Sequence, residues 1–509
     1  MDPFILIVTY AALGMLVWDC VEVGRNDAAN LVNAVFGARV MRRRTAVWVA
    51  GLAVVLGATF ASPVMETARK GIFDPGQLSI DQALSVYISA YVVDTVLLYA
   101  LSAFGMPVST TATLLFSLVG GAIGVSLGVG IVSWPKVWTV IAAIVMSIFL
   151  SGVAGFLIQR AFRGALRQNA QDPIRVFLHG PWIAGLILTW LTWFMLVKGL
   201  KGLAFVKYLE TSTIEKFGEF PVLLTLWGFY SLLVYALLAL FREKGTRYLF
   251  HGTTLIGMVC MAFAFGQNDL ANCASPGLSS LYLYRHADIG VGEASDIAIS
   301  RWWLFGCGLL MAIGMGTRNA QRVTRAEVNT GSQHDQVALW APNWCRALGR
   351  SFMRKESVEI EIAPPPSVNA AGKRLHYDTL RASVIMAVSG SVIAFASGKG
   401  LPVSTTYVAF AAVVATGWGD RVFHRGDADL KLGRAIWVVT SWFLAALVAV
   451  VASGVVAMVI YNFKIAGLVI ALAANLLVRW YFAKRAEAHE TKYHTSKEGT
   501  IGADDDGQL

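Results

Sequence analysis

Two short polar strings each occur twice in a chain that is otherwise largely apolar. The first is Gly-Arg-Asn-Asp-Ala-Ala-Asn at 24–30, with Gly-Gln-Asn-Asp-Leu-Ala-Asn at 266–272 as its second copy. The second is Gly-Met-Pro-Val-Ser-Thr-Thr at 105–111, which recurs as Gly-Leu-Pro-Val-Ser-Thr-Thr at 400–406. Carboxylates suit a cation or a proton, whereas amides and hydroxyls can donate hydrogen bonds to an oxyanion. The two strings together therefore predict a site that handles an anion and a cation.

The Pro-Val-Ser-Thr-Thr string predicts the start of a helix inside an apolar segment. Pro107 cannot continue an upstream helix, and Ser109 or Thr110 is a good N-terminal cap for the helix that follows. A helix N-terminus offers unpaired N–H groups and partial positive charge, which together with hydroxyls suit an anion such as phosphate. Hydroxyl side chains also join membrane helices, but an identical string in each half favours the anion site. The hydroxyl residues concerned are Ser109, Thr110, Thr111, Ser404, Thr405 and Thr406.

The Asn-Asp-x-x-Asn string adds carboxylates to these donors. Asn26 and Asn30 lie four residues apart, so on a helix their amides share one face and can donate to an anion or accept a cation. An ionised aspartate would repel an anion, so Asp27 and Asp269 are predicted to bind a coupling cation or to carry a proton. Arg25 could pair with Asp27 or contact phosphate itself, and both interpretations stay open. The second copy supplies Asn268 and Asn272 at the same spacing.

Three further acidic residues fall near the first copies of these strings. Asp19 and Glu22 precede the first motif by one or two helical turns, so they line a pathway or lie near the outer interface. Asp94 begins the long uncharged stretch that ends at Pro135 and could be interfacial.

The elements that position these motifs are predicted to be membrane helices. The chain has 509 residues, of which 56% are hydrophobic and 15% charged, and this balance does not fit a soluble protein of that size. Uncharged runs of 22, 23 and 29 residues begin after Arg175, Lys136 and Arg434, and each can cross a bilayer. Five cysteines without framework spacing exclude a disulfide scaffold and most metal fingers.

The net charge of +10 follows the topology of the chain rather than nucleic-acid binding. If the segments alternate, the connections on one side hold 24 Lys and Arg residues and those on the other side hold 8. This bias predicts that the basic side is cytoplasmic, that Met1 lies outside and that the protein resides in the cell (inner) membrane. The triplet at 42–44 is accordingly interpreted as a topology determinant, and no nucleic-acid partner is predicted.

The duplicated motifs predict an all-α polytopic membrane protein with about 12 transmembrane segments. The charge pattern places the loop after the first motif inside and its counterpart after the second copy outside, so the two repeats have inverted topology. Inverted repeats with broken or re-entrant helices are the sequence mark of a secondary transporter. The predicted divisions are a first repeat at 1–160, a linking transmembrane pair at 161–247, a second repeat at 248–461 with a cytoplasmic, partly disordered loop at 317–376, and a final segment and polar tail at 462–509.

At these motifs the sequence resembles the inorganic phosphate transporter family, often called Pit, whose hallmark is a duplicated Gly-Ala-Asn-Asp-Val-Ala-Asn string. The family's Pro-(Val/Ile)-Ser-Thr-Thr elements match 107–111 and 402–406, and its Glu-Thr-x-x-x-Gly-Ile stretch matches Glu66, Thr67, Gly71 and Ile72. The similarity covers 1–160 and 248–460 approximately. Arg25 and Gln267 depart from the hallmark, which has a small residue at both positions.

The resemblance implies a cation-coupled phosphate symporter with one site shared by both repeats and Na+ or H+ as the coupling ion. By position, it implies two sets of residues and two accessory side chains, Arg25 and Glu66. The phosphate ligands would be Asn26, Ser109, Thr110, Thr111, Asn268, Ser404, Thr405 and Thr406. The coupling-cation residues would be Asp27, Asp269, Asn30 and Asn272, with Na+ at the two aspartates.

Other functions remain as alternatives. Sulfate or another oxyanion could be the substrate of a symporter of the same family, and an anion channel could use the same helix ends. A phosphotransfer enzyme is disfavoured because the sequence has no Gly-x-x-x-x-Gly-Lys-(Ser/Thr) loop, so no enzymatic activity and no cofactor are predicted. The predicted partners are inorganic phosphate and membrane lipid, and self-association stays open.

Overall fold

Helices make up nearly all of the structure. The computed structural model describes residues 2–61, 72–73, 77–166, 172–200, 203–285, 300–334, 337, 339–353, 375–424 and 426–497. Within these ranges, the β-structure is one isolated bridge between Phe73 and Val132. The main helices are α1 Pro3–Gly37, α2 Arg43–Thr59, α3 Ile80–Ala103, α4 Thr110–Ser126, α5 Trp134–Ala165, α6 Pro173–Thr192, α7 Glu219–Arg285, α8 Arg301–Met315, α9 Arg318–Thr330, α10 Asn343–Phe352, α11 Thr379–Gly398, α12 Thr405–Gly419 and α13 Ala428–Lys497.

Membrane-spanning length is common among these helices. In the described part of the chain, seven helices are long and apolar enough to span a bilayer, namely Pro3–Gly37, Ile80–Ala103, Trp134–Ala165, Pro173–Val197, Glu219–Arg285, Thr379–Gly398 and Ala428–Ala488. Two shorter apolar helices, α4 and α8, pack among them. The all-helical membrane class expected from the sequence is thereby confirmed, whereas the exact number of crossings stays a prediction.

Helices α7 and α13 each consist of two legs that meet at a sharp turn. The backbone leaves the helical region at Arg242 (φ 47, ψ −120) and at Lys464 (φ 52, ψ −124). Beyond the first turn, a Cβ placed on Gly245 would lie 3.3 Å from the Leu238 Cα, an approach that a straight helix does not allow. Each of these helices is therefore two antiparallel segments, and the second leg of α13 returns along α3, where Asn475 donates to the Val92 carbonyl at 2.7 Å.

Two broken hairpins contain the duplicated Pro-Val-Ser-Thr-Thr strings. The first broken hairpin is α3, the break 104–109 and α4; the second is α11, the break 399–404 and α12. Gly105 and Gly400 both adopt positive φ, at 65° and 68°, which lets the chain turn away from the preceding helix without a Cβ clash. The breaks predicted at the Pro-Val-Ser-Thr-Thr strings are thus real interruptions at corresponding positions. The breaks expected at 24–30 and 266–272 are wrong, because helix runs without interruption through both strings, in α1 and in the second leg of α7.

The break of the first hairpin is held by side chains from α13. Because a break leaves carbonyl groups without helical partners, each needs another donor inside the protein. Arg434 donates to the Gly105 carbonyl at 2.7 Å, and the Trp442 indole donates to the Pro107 carbonyl at 3.0 Å. The irregular backbone of this break is therefore supported by the first leg of α13.

The predicted insertion at 317–376 contains two helices that pack against the bundle. Helix α9 buries Val323, Thr324 and Glu327, and helix α10 packs on the start of α13, where Arg346 pairs with Asp429 at 2.9 Å. This part of the insertion is ordered structure, while the proline-rich stretch at 363–367 lies outside the described residues.

A buried ion cluster joins α5 to both ends of the second hairpin. Arg163 donates to Asp420, just after α12, at 2.7 Å and to Asp378, the N-terminal cap of α11, at 2.5 Å. Burial alone would raise the pKa of Asp378, but the Arg163 guanidinium and the Arg381 backbone N–H hold that pKa below its ordinary value. One arginine thus fixes both legs of this hairpin at its base.

We expect Arg163→Met to lower the thermal stability strongly, because it leaves two buried carboxylates without their cation. Removing one partner of a buried ion pair costs about 3–5 kcal/mol. Thermal unfolding in detergent should show this against Arg175→Met, whose partner Asp172 is partly exposed and whose pair is worth at most about 1 kcal/mol.

The pH dependence of the same variant gives a second check. Since the pKa of Asp378 is lower folded than unfolded, its stabilisation is full above about pH 4 and is lost as the pH falls below that value. The difference in unfolding temperature between Arg163→Met and wild type should therefore become smaller in that pH range. Equal unfolding temperatures of Arg163→Met and Arg175→Met at neutral pH would contradict the role of the cluster.

Candidate functional site

Asp27 lies at the centre of the bundle between the N-termini of two helices. Its side chain is fully buried on α1. Thr110, the first residue of α4, donates to Oδ2 at 2.9 Å, and Thr406 of α12 donates to Oδ1 at 2.5 Å. Asn30 Nδ2 donates to the same Oδ1 at 3.0 Å. One carboxylate thereby receives hydroxyls from both broken hairpins.

Asp269 on α7 has the matching threonine partners. Thr405, the first residue of α12, donates to Oδ2 at 2.6 Å, and the Thr111 hydroxyl of α4 lies 3.3 Å from Oδ1. Asn272 Nδ2 donates to the Thr111 hydroxyl at 2.8 Å, as Asn30 Nδ2 donates to the Thr406 hydroxyl at 3.1 Å. The threonine contacts thus match between the repeats, whereas the amide contacts differ: Asn30 donates to Asp27, but Asn268 rather than Asn272 donates to Asp269, at 3.3 Å.

The two breaks also touch each other directly. The Thr111 hydroxyl lies 2.9 Å from the Val403 carbonyl, and the Thr406 hydroxyl lies 3.1 Å from the Val108 carbonyl. Each of these hydroxyls is shared between a carbonyl and a carboxylate. The site is therefore a single crossed arrangement of two carboxylates and two hairpin breaks, rather than two separate sites.

Asn26 and Asn268 position the breaks rather than point into open space. The Val108 N–H donates to Asn26 Oδ1 at 3.1 Å, and the Val403 N–H donates to Asn268 Oδ1 at 3.3 Å. The amide groups donate in turn, from Asn26 to the Ser102 hydroxyl and from Asn268 to the Val403 carbonyl. Both asparagines thus replace hydrogen bonds that the broken helices lack.

Ser109 and Ser404 act as helix caps. The Ser109 hydroxyl accepts from the Ala112 N–H at 3.0 Å, and the Ser404 hydroxyl accepts from the Tyr407 N–H at 3.1 Å. The helices that they cap, α4 and α12, begin at the carboxylate pair, so the positive ends of two helix dipoles meet there. The arrangement offers carboxylate and hydroxyl oxygens for a cation and N–H and O–H donors for an oxyanion.

Of the two predicted accessory residues, Arg25 lies in the described part of the chain and has other partners than expected. Arg25 does not contact Asp27 in the structure; its Nη1 pairs with Glu22 at 2.8 Å, and the guanidinium stacks on the Tyr99 ring. The ion pair considered for Arg25 and Asp27 is thus replaced by an i, i+3 pair on α1. Glu66 lies outside the described residues.

Further buried polar side chains lie near the site, and some of them were not predicted. Asp94 lies inside the bundle rather than at an interface, and it and Asp19 are both fully buried. Arg479, on the second leg of α13, binds Glu22 and so extends the Arg25 pair. Asn33 follows Asn26 by seven residues on α1, a spacing that keeps the same helical face and could have revealed it.

The comparisons with known proteins agree with the motifs. A family model described as "Phosphate transporter family" matches residues 23–326. A protein of Pyrococcus horikoshii named "Putative phosphate permease" is 27% identical over 466 residues, which is 89% of this chain and 97% of that protein. A protein of Haemophilus influenzae with the same name is 22% identical over 434 residues, covering 83% of this chain and 89% of its own.

One solved structure has the same fold. It is titled "The sodium-dependent phosphate transporter", and it aligns with a TM-score of 0.65 and 19% identity over 89% of this chain and 99% of its own.

The crossed hydroxyl contacts lead to a stability prediction. Thr406→Val keeps the side-chain shape but removes the hydroxyl that Asp27 and Asn30 both contact. A buried hydrogen-bonding group left without its partner costs about 1–3 kcal/mol, so we expect a lower unfolding temperature in detergent. Thr225→Val is the matched control, because the Thr225 hydroxyl is exposed and bonds to its own helix. Equal unfolding temperatures for the two variants would contradict the contact.

Proposed function

The chain belongs to the phosphate transporter family, and on that premise we propose that it takes up inorganic phosphate by symport with Na+ or H+. Membership makes it an integral membrane transporter and not an enzyme. We propose further that transport proceeds by alternating access around the crossed site, with phosphate bound between the two hairpin breaks.

The observation that carries this proposal is the sharing of each carboxylate between the two repeats. Asp27 accepts hydrogen bonds from Thr110 of its own repeat and from Thr406 of the other. Asp269 in the same way is contacted by the hydroxyls of Thr405 and Thr111. A cation bound at the carboxylates would offset the charge of an anion held at the adjacent helix N-termini. A cation and an anion bound next to each other raise each other's affinity, and this couples their transport.

In this proposal the site residues form a phosphate-binding set and a cation-binding set, according to whether their side chains donate hydrogen bonds or carry a carboxylate. When a cation binds to the carboxylates, the threonine hydroxyls are released and turn toward phosphate. The backbone N–H groups of the two breaks add further donors. The phosphate set is Asn26, Ser109, Thr110, Thr111, Asn268, Ser404, Thr405 and Thr406. Asp27 and Asp269 bind the cation, while Asn30 and Asn272 hold the carboxylates and hydroxyls in register.

The repeats at 1–160 and 248–461 supply the two faces of the transport pathway. The first break is covered by α9, whose Arg322 carbonyl would lie 3.1 Å from a Cβ on Gly105. Beside the second break, Gln267 on α7 donates to the Gly199 carbonyl, in the connection that follows α6. With the basic connections inside, α9 closes the cytoplasmic route in our proposal and the segment 203–219 closes the outer one.

Sodium is the first coupling ion to test, because the structural neighbour is titled sodium-dependent. Carboxylate, hydroxyl and amide oxygens are suitable ligands for a hard cation, and the same carboxylates could instead carry a proton. Sulfate remains the alternative substrate, and competition by unlabelled sulfate distinguishes it. An anion channel is disfavoured because a passive anion pathway gains nothing from two buried carboxylates.

We predict that Asp27→Asn and Asp269→Asn each abolish coupled uptake while the protein stays folded. An asparagine keeps the size, and its oxygen can accept from one threonine hydroxyl while its amide donates to the other, but it lacks the charge that balances a cation. The measurement is uptake of labelled phosphate into proteoliposomes under an imposed sodium or proton gradient. Asp172→Asn is the control, since that aspartate caps a helix at a partly exposed position where asparagine also caps.

Full gradient-driven uptake in either variant would remove that carboxylate from the mechanism. Wild-type uptake that ignores both gradients would contradict symport altogether.

The proposed orientation can be checked by labelling from the two sides of the membrane. Lys136 and Arg44 are both exposed and lie on opposite sides in our assignment. In intact cells, an impermeant maleimide should label Lys136→Cys and leave Arg44→Cys unlabelled. Wild type serves as the control for background labelling of the native cysteines. The reverse pattern would show that the charge bias misassigns the sides.

A further inference from the structure

Another buried carboxylate lies beside α1 at some distance from the central pair. Glu327 on α9 is 1% exposed, and Asn33 Nδ2 donates to its Oε1 at 2.6 Å. Within the described residues, neither Glu327 Oε2 nor Asn33 Oδ1 has a hydrogen-bond partner. Two buried oxygens, one from a carboxylate and one from an amide, are thus without donors at a single contact between α9 and α1.

This contact continues the polar face of α1 that starts at the central site. Asn30 bonds to Asp27, and Asn33 follows three residues later on the same face. At 1.5 Å per residue, Asn33 lies about 9 Å along the helix axis from Asp27. Beyond it α1 ends at Gly37, whose carbonyl accepts from the His376 N–H at 2.8 Å. Glu327 therefore lies between the central pair and the Gly37 end of α1.

Among the residues that the structure describes, no charged group forms an ion pair with Glu327. Its hydrogen-bond donor is the neutral Asn33, and the charge that shifts its pKa is the negative Asp27. Arg381 on α11 donates to the carbonyls of Gly331 and Val413 rather than to the carboxylate. Burial raises the pKa of Glu327 to about 8, with Asn33 lowering it and Asp27 raising it.

A buried carboxylate without a cationic partner is costly unless a proton or a metal cation joins it. The free amide oxygen of Asn33 adds a second hard ligand at the same point. Stability of the fold alone would be served by an apolar residue here, because α9 already buries Val323 and Val328 against its surroundings. The residue pair is thus suited to the reversible binding of a metal cation or a proton.

We propose that Glu327 and Asn33 form a second cation site, which holds the coupling cation between the central pair and the Gly37 end of α1. The inference rests on the proposed symport, and it adds that α9 is a working part of the cation route. The class of ligand is a monovalent cation, Na+ or H+. When α9 separates from α1, the carboxylate loses its Asn33 donor and releases the ion toward the side that α9 covers.

The test is the number of cations moved per phosphate by reconstituted full-length protein. Proteoliposomes with set phosphate and ion gradients are clamped at a series of potentials, and the potential of zero net phosphate flux gives the stoichiometry. One arm varies sodium at fixed pH, and the other varies pH at fixed sodium. Glu327→Gln keeps an acceptor for Asn33, so folding should be retained while the charge is lost.

We expect Glu327→Gln to move one cation fewer per phosphate in the arm that contains the coupling ion, and its phosphate exchange to persist at a reduced rate. Glu327→Asp should restore the wild-type count, and Asp172→Asn should match wild type throughout. An unchanged count in Glu327→Gln would overturn the second site. So would loss of both exchange and coupling in Glu327→Gln and Glu327→Asp, since a structural role would explain that result.

Failure of the symport proposal looks different from failure of the second site. If symport itself is wrong, wild type shows no dependence of phosphate flux on either ion gradient. If only the second site is wrong, wild type is coupled and Glu327→Gln has the same stoichiometry.

Discussion

Two buried carboxylates need hydrogen-bond donors, and the fold supplies those donors from both halves of the chain at once. Asp27 and Asp269 are each met by a threonine from either broken hairpin. Within a membrane bundle an unpaired carboxylate is expensive, so the hairpins must place their breaks at this point. The packing of the first repeat is thereby tied to the packing of the second.

The breaks can lie there because other residues satisfy their backbone. Asn26 and Asn268 accept from the Val108 and Val403 N–H groups, and Arg434 and Trp442 donate to carbonyls of the first break. Arg163 fixes the base of the second hairpin through Asp378 and Asp420. Irregular backbone at membrane depth is tolerated only where the protein supplies partners for its N–H and C=O groups. Here the side chains that supply these partners also orient the helix N-termini toward the carboxylates.

The sequence predicted the parts of this site better than their connections. Duplicated strings indicated both broken helices and both aspartates, because Gly, Pro and hydroxyl residues have strong local preferences. That Thr406 bonds to Asp27 depends on how two distant repeats pack, which no local pattern encodes. The partner of Arg25 proved to be Glu22, one turn away. Glu327 was missed because its polar helix resembled a solvated loop, although it is buried against α1.

The central claim is that both repeats form one site for one anion. The most direct measurement is equilibrium binding of labelled phosphate to the purified protein in the presence of the coupling cation, for wild type, Thr111→Val and Thr406→Val. The account predicts one phosphate per chain in wild type and a weaker affinity of that same site in both variants. Two phosphates per chain, or an affinity that only one of the two variants changes, would contradict it.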